Sequence, residues 1–139
     1  MHEALNTYTS NCFKATAVMI GAAAESIILE LRDAVVTQMT SLGKTPPKNL
    51  RDWRVKRVID SLKRELELQK GNMPVPLYEA FEAYWPAFTQ QIRTARNEAG
   101  HPTSVDPITP ETVHASLLIF PELAKLGSEL KSWVSQHYT

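Results

Sequence analysis

Over the first forty residues apolar side chains return every three or four positions: Phe13, Ala17, Ile20, Ala24, Ile27, Leu31 and Val35. That is the 3.6-residue period of an amphipathic helix, so the spacing predicts one long helix over about residues 5–40. Ser41-Leu42-Gly43 closes it, and Pro46-Pro47 forbids continuation because proline lacks the amide hydrogen and clashes with the preceding turn. A second stripe, Val55, Val58/Ile59, Leu62 and Leu66, predicts a helix to about Gln69, with Asn49 as N-cap and Asp52 in the capping-box position. Gly71 and Asn72 stop it, and Pro74 and Pro76 introduce a third stretch, 77–99. Its later face reads Phe88, Ile92, Ala95, Ala99; Pro86 is expected to kink or split it, and Gly100 and Pro102 end it. Thr109 as N-cap and Pro110 in the first turn start a last helix to about 136, with Pro121 as a second kink. No segment alternates with the period of two that a strand requires. The pattern predicts an all-α fold, a bundle of four or five helices with short connections, in a single domain over 1–139.

Composition narrows what such a bundle can be. A chain of 139 residues, 43% of them hydrophobic, buries one core without a metal or disulfide staple. The lone Cys12 excludes an internal disulfide framework and a multi-cysteine zinc site, and suits a reducing, cytoplasmic setting. The apolar run Ala15–Ala24 is shorter than the ~20 residues a bilayer crossing takes, and the helical pattern continues past it. The run therefore reads as a buried core helix, with no membrane association expected. His and Cys spacings match no metal site, and there is no glycine-rich phosphate loop or serine nucleophile elbow. No cofactor is expected. The aromatic group Tyr78, Phe81, Tyr84, Trp85, Phe88 is expected in the core, any exposed surplus serving a dimer interface.

Charge changes the picture again. Fifteen Lys and Arg balance fifteen Asp and Glu. Yet residues 44–70 hold nine basic against four acidic groups, while both flanks are net acidic. On a helix from Asn49, Asp52–Lys56, Asp60–Arg64 and Lys63–Glu67 would be i, i+4 pairs of a solvated face. That leaves Lys48, Arg51, Arg54 and Arg57 without an obvious partner. With Trp53 available for stacking, they form either an RNA-backbone footprint or a docking face for an acidic protein.

The sharpest local feature is Arg96-Asn97-Glu98-Ala99-Gly100-His101-Pro102. Five residues of unbroken helix would leave Arg96 and His101 roughly 140° apart, but a terminating Gly100 frees His101 to fold back. Arg93, Asn97 and His101, spaced i, i+4, i+8, lie on one polar stripe. Histidine titrates near neutrality and exchanges protons with ribose and leaving oxygens, while a guanidinium holds phosphate oxygens bidentately; together they suit metal-free RNA cleavage. The plain structural alternative is a helix C-terminus with a dipole-stabilising His and a capping Gly.

The segment resembles the signature of HEPN domains, small all-α modules whose motif is Arg, four to six residues, then His, often with a polar residue after the Arg. Arg96, Asn97 and His101 match it with the minimum spacing, and the long Ala-rich first helix with Glu25 fits the outline. Position 103 is Thr, where one toxin branch of the family carries Tyr. The resemblance implies a homodimer whose two motifs line one cleft and cut RNA without metal by attack of the 2′-hydroxyl. Arg96 would bind the scissile phosphate, His101 would act as general base or acid, and Asn97 would orient one of them. Arg93, Lys48, Arg51, Arg54 and Arg57 would then guide RNA, and an antitoxin or a fused defence protein would be the partner. A non-catalytic module binding RNA, nucleotide or protein is the alternative.

Overall fold

The computed structural model describes residues 2–100 and 109–139, with side chains over 12–96 and 109–139. The described residues form four α-helices: α1 (His2–Ser41), α2 (Val55–Leu68), α3 (Val75–Gly100) and α4 (Pro110–His137). No strand occurs among the described residues. One continuous core is built largely from the stripes the spacing predicts, with Ala24, Leu31 and Val35 of α1 meeting Val58, Leu62 and Leu66 of α2. In α1, Ile28 is the fully buried residue of its turn where the spacing predicts Ile27, and Ile27 is only partly buried. Phe81, Trp85 and Phe88 of α3 and Leu123, Leu126, Leu130 and Val134 of α4 complete it. Phe81, Trp85 and Phe88 are buried with ring centroids 5.1 and 5.7 Å apart, and Tyr78 and Tyr84 are half-buried. The aromatic group is thus core, with no surplus ring left exposed.

Contacts at each end fix the directions. Glu25 of α1 meets Arg96 of α3, Glu30 meets Lys131 of α4, and Gln38 donates to the Tyr138 carbonyl at 3.4 Å. Tyr138 also places its hydroxyl 3.2 Å from Glu65 near the end of α2. Burial, and then the Glu65 charge, push that phenol above its ordinary range. Hence α1, α2 and α4 run one way and α3 runs against all three.

Parallel neighbours need a crossover, so the α1–α2 connection is not short. Residues 42–54 return along the bundle, pinned by the fully buried Leu50, whose carbonyl accepts from Arg32 Nη1 at 3.1 Å. This corrects the expected start of α2. Lys48–Arg51 is a separate 3-10 turn, and α2 begins at Val55 with Arg54 at its N-cap position. Asn49 caps nothing, because Asp52 instead accepts the Arg54 backbone N–H at 2.8 Å, an Asx-type turn that holds the chain extended before the helix.

Thr109 does cap α4, accepting from the Thr112 N–H at 3.1 Å with Pro110 in the first turn. Pro86 and Pro121 lie inside α3 and α4 and split neither. Both are exposed, on the solvated side of their helices, where the loss of one amide donor costs least. The apolar stretch of α1 is longer than Ala15–Ala24: by length and composition Cys12–Ser41 is sufficient to cross a membrane. Its apolar stripe packs against α3 and α4.

Candidate functional site

Two helix faces make the site. On α2, Lys56, Asp60 and Lys63 are spaced i, i+4, i+7; on α3, Thr89, Arg93 and Arg96 repeat that spacing, so each trio lies on one side of its helix. Between them runs a groove. Its Arg96 end, of about 400 Å³, is lined by Val55, Lys56, Ile92 and Arg96. The other compartment, of about 530 Å³, is lined by Lys63, Trp85, Pro86, Gln90 and Thr94. Ile59, Asp60, Thr89 and Arg93 border both and make them continuous. Trp85 is buried at the second compartment, and its indole N–H has no hydrogen-bond partner.

The lining carries four cations, Lys56, Lys63, Arg93 and Arg96, against one carboxylate, Asp60. Among the described residues Lys56 and Arg93 form no ion pair, and Lys63 lies 3.8 Å from Glu67. Like charges gathered along one groove focus a positive potential, which suits a polyanion.

Arg96 has a second attachment. Its Nη2 donates to Glu25 Oε1 at 2.7 Å, with the guanidinium side 58% exposed and the glutamate 26%. The pair ties α3 to α1 while leaving the arginine open to solvent, at the end of the groove. Asn97 belongs to α3 by its backbone, and nothing is described of its side chain. His101 lies outside the described residues, so the Arg96–His101 geometry does too.

The basic segment divides differently from the expectation. Arg54 and Arg57, expected unpaired, both meet Asp52, at 3.0 and 3.5 Å. The Arg54 side-chain hydrogen bonds, its backbone N–H and the two positive charges hold the Asp52 carboxyl down at about 2. The Asp52–Lys56 pair does not form, because Asp52 sits before the helix and i, i+4 geometry does not reach it. Lys56 is thereby released to the groove. Asp60–Arg64 is likewise not formed, and Lys63–Glu67 is. Lys48 and Arg51 stand exposed on the 3-10 turn, and Trp53 is 84% exposed with the Arg54 guanidinium 5.4 Å from its ring.

Of the residues singled out from the sequence, Arg93 and Arg96 line the groove, while Lys48, Arg51, Arg54 and Arg57 lie outside it. Lys56 and Lys63 were missed as groove residues, although their spacing on α2 carries the signal. His114 is exposed beside Phe13 and Glu111 in a separate shallow hollow. No cluster of three or more His, Cys, Asp or Glu suited to a metal occurs among the described residues. Comparison with family models, with curated proteins and with solved structures found no match to this chain.

Proposed function

We propose that the chain is a HEPN-like, metal-independent endoribonuclease, with Arg96 and His101 as its reactive pair and the α2/α3 groove as its RNA approach. The observation that carries this is the exposed Arg96 guanidinium at the end of a groove lined by Lys56, Lys63 and Arg93. In the reaction the 2′-oxygen attacks phosphorus and the P–O5′ bond breaks. A histidine removes the 2′ proton or supplies one to the departing 5′-oxygen. The guanidinium holds the non-bridging oxygens as negative charge grows on them. One copy of the motif supplies one His, so the scheme works as a homodimer with two motifs at one cleft. The setting proposed is cytoplasmic, with an antitoxin or fused defence protein as partner.

The Arg96–Glu25 ion pair supports a second reading, a non-catalytic module in which Arg96 braces α3 against α1 and the groove only binds. Incubating a mixed RNA pool with protein in excess chelator separates the two. Wild type is expected to cut, and His101→Ala to lose about a hundredfold or more in rate. RNA bound but left whole by wild type establishes the second reading. Cleavage untouched by His101→Ala removes His101 from the mechanism.

A further inference from the structure

We infer that the α2/α3 groove is a track for single-stranded RNA, in which Lys56, Arg93 and Lys63 hold successive phosphates and Trp53 stacks a base beyond the Arg96 end. The inference rests on the RNA reading above and adds the strandedness and the path. From Arg96 to Trp85 the groove follows α3 for roughly 16 Å, about five nucleotides at the 3.4 Å spacing of a stacked strand. It lies between two helices of one bundle over a floor of Ile59, Trp85 and Ile92. Its two compartments, of about 530 and 400 Å³, are too small for the two backbones of a duplex and fit a short run of one strand. Duplex RNA presents a broad, shallow minor groove and needs an outward-facing surface instead.

Trp53 is the independent observation. Trp85 and Trp133 are 2% and 5% exposed, whereas Trp53 is 84% exposed. It stands two residues before Val55, which lines the Arg96 end of the groove. The Arg54 guanidinium at 5.4 Å from the ring, itself tied to Asp52, braces the indole from one side. A solvated aromatic beside a cationic groove is the arrangement by which proteins hold unpaired bases: charge tracks the backbone and the ring stacks on a base. Phosphates alone would need no indole, and an acidic protein would answer the cations without offering a base for the indole to stack on.

The test is a fluorescence titration of the whole chain with a 2′-O-methyl oligouridine of about ten nucleotides, which lacks the attacking hydroxyl, against a duplex of the same chemistry. Trp133 is buried and Trp85 lies on the groove floor, so the part of the quench that vanishes in Trp53→Leu is the part that reports on Trp53. The single strand is expected to bind and quench, and the duplex to do neither. Lys56→Ala and Arg93→Ala should each lower the slope of log affinity against log salt by about 0.7. Trp53→Leu should weaken binding roughly 5- to 150-fold and remove the quench, while Trp53→Phe keeps most of the affinity. All three positions are exposed, and unchanged helix content by circular dichroism keeps the comparison fair. Failure of the single strand to bind, equal binding of the duplex, or wild-type affinity in both Trp53→Leu and Lys56→Ala overturns the track. Natural RNA cut equally by wild type and these variants overturns the track and leaves the nuclease reading standing. An oligomer bound with the expected variant effects, beside natural RNA left whole, upholds the track and overturns the nuclease.

Discussion

The Asp52 carboxylate accepts the Arg54 N–H at 2.8 Å, meets the Arg54 side chain at 3.0 Å and lies 3.5 Å from Arg57. Each contact favours its ionised form, so its folded value of about 2 lies below the ordinary 3.8. A carboxyl depressed on folding stabilises the native state above the unfolded value, and that stabilisation is lost as pH falls through the folded one. The Asp52 contribution is therefore intact above about pH 4 and gone near pH 2. Carboxyl-detected NMR titration is expected to place the Asp52 midpoint near 2, and Arg54→Ala to move it upward; a wild-type midpoint at 3.8 contradicts the assigned contacts. The same residue decides where charge is available. By drawing Arg54 and Arg57 aside, Asp52 leaves Lys56 as the unpaired cation of the first turn of α2, facing Arg93 and Arg96.

At the scale of helices, two glycines set how closely α1 approaches its neighbours. A Cβ at Gly21 would run into the Ala95 Cβ and lie 2.8 Å from the Gln91 carbonyl oxygen, so α1 and α3 would have to separate. At Gly127 the added carbon meets the Cγ2 methyl of Ile27 with no backbone atom in its way; clearing it takes a χ1 adjustment of one β-branched side chain, whereas Gly21 faces backbone. Alanine gains about 1 kcal/mol of helix propensity at either site, and overpacking costs about 1–3 kcal/mol. Gly21→Ala is expected to lose about 2 kcal/mol in denaturant unfolding and Gly127→Ala to stay within about 1 kcal/mol of wild type. The reverse order would show that the α1–α3 approach is not tight. Neither glycine was legible as a contact from the chain alone, since the apolar stripe shows which face of α1 is buried but not how near the partner lies. The stripes of α1, α2 and the later part of α3 and the Thr109-Pro110 start were legible because they are local. The start of α2 was not: Asn49 and Asp52 have capping-box spacing, but burial of Leu50 and the Asp52–Arg54 turn draw that segment into a crossover. Placing the helix start too early paired Lys56 with Asp52 and concealed half of the groove.

Across the whole molecule, zero net charge coexists with a directed field. The basic stretch 44–70 comprises the crossover, α2 and the short turn after it, and α2 lies beside the Arg93–Arg96 end of α3, while the acidic N-terminal flank supplies Glu25 to Arg96 and Glu30 to Lys131. Neutrality limits non-specific attraction, and the local groove keeps the potential that draws a polyanion. The sequence pattern singles out Arg96 and His101 as the proposed pair; the fold adds that Arg96 stands where this groove ends and is held by Glu25. The central claim is that RNA brought there is cut by its own 2′-hydroxyl. It is tested most directly by mass spectrometry of the ends left on a defined single-stranded RNA after incubation in excess chelator. The account requires a 5′-hydroxyl on one fragment and a 2′,3′-cyclic phosphate, or the 3′-phosphate it hydrolyses to, on the other. A 5′-phosphate with a 3′-hydroxyl, which needs water as nucleophile, or an RNA left whole, contradicts it.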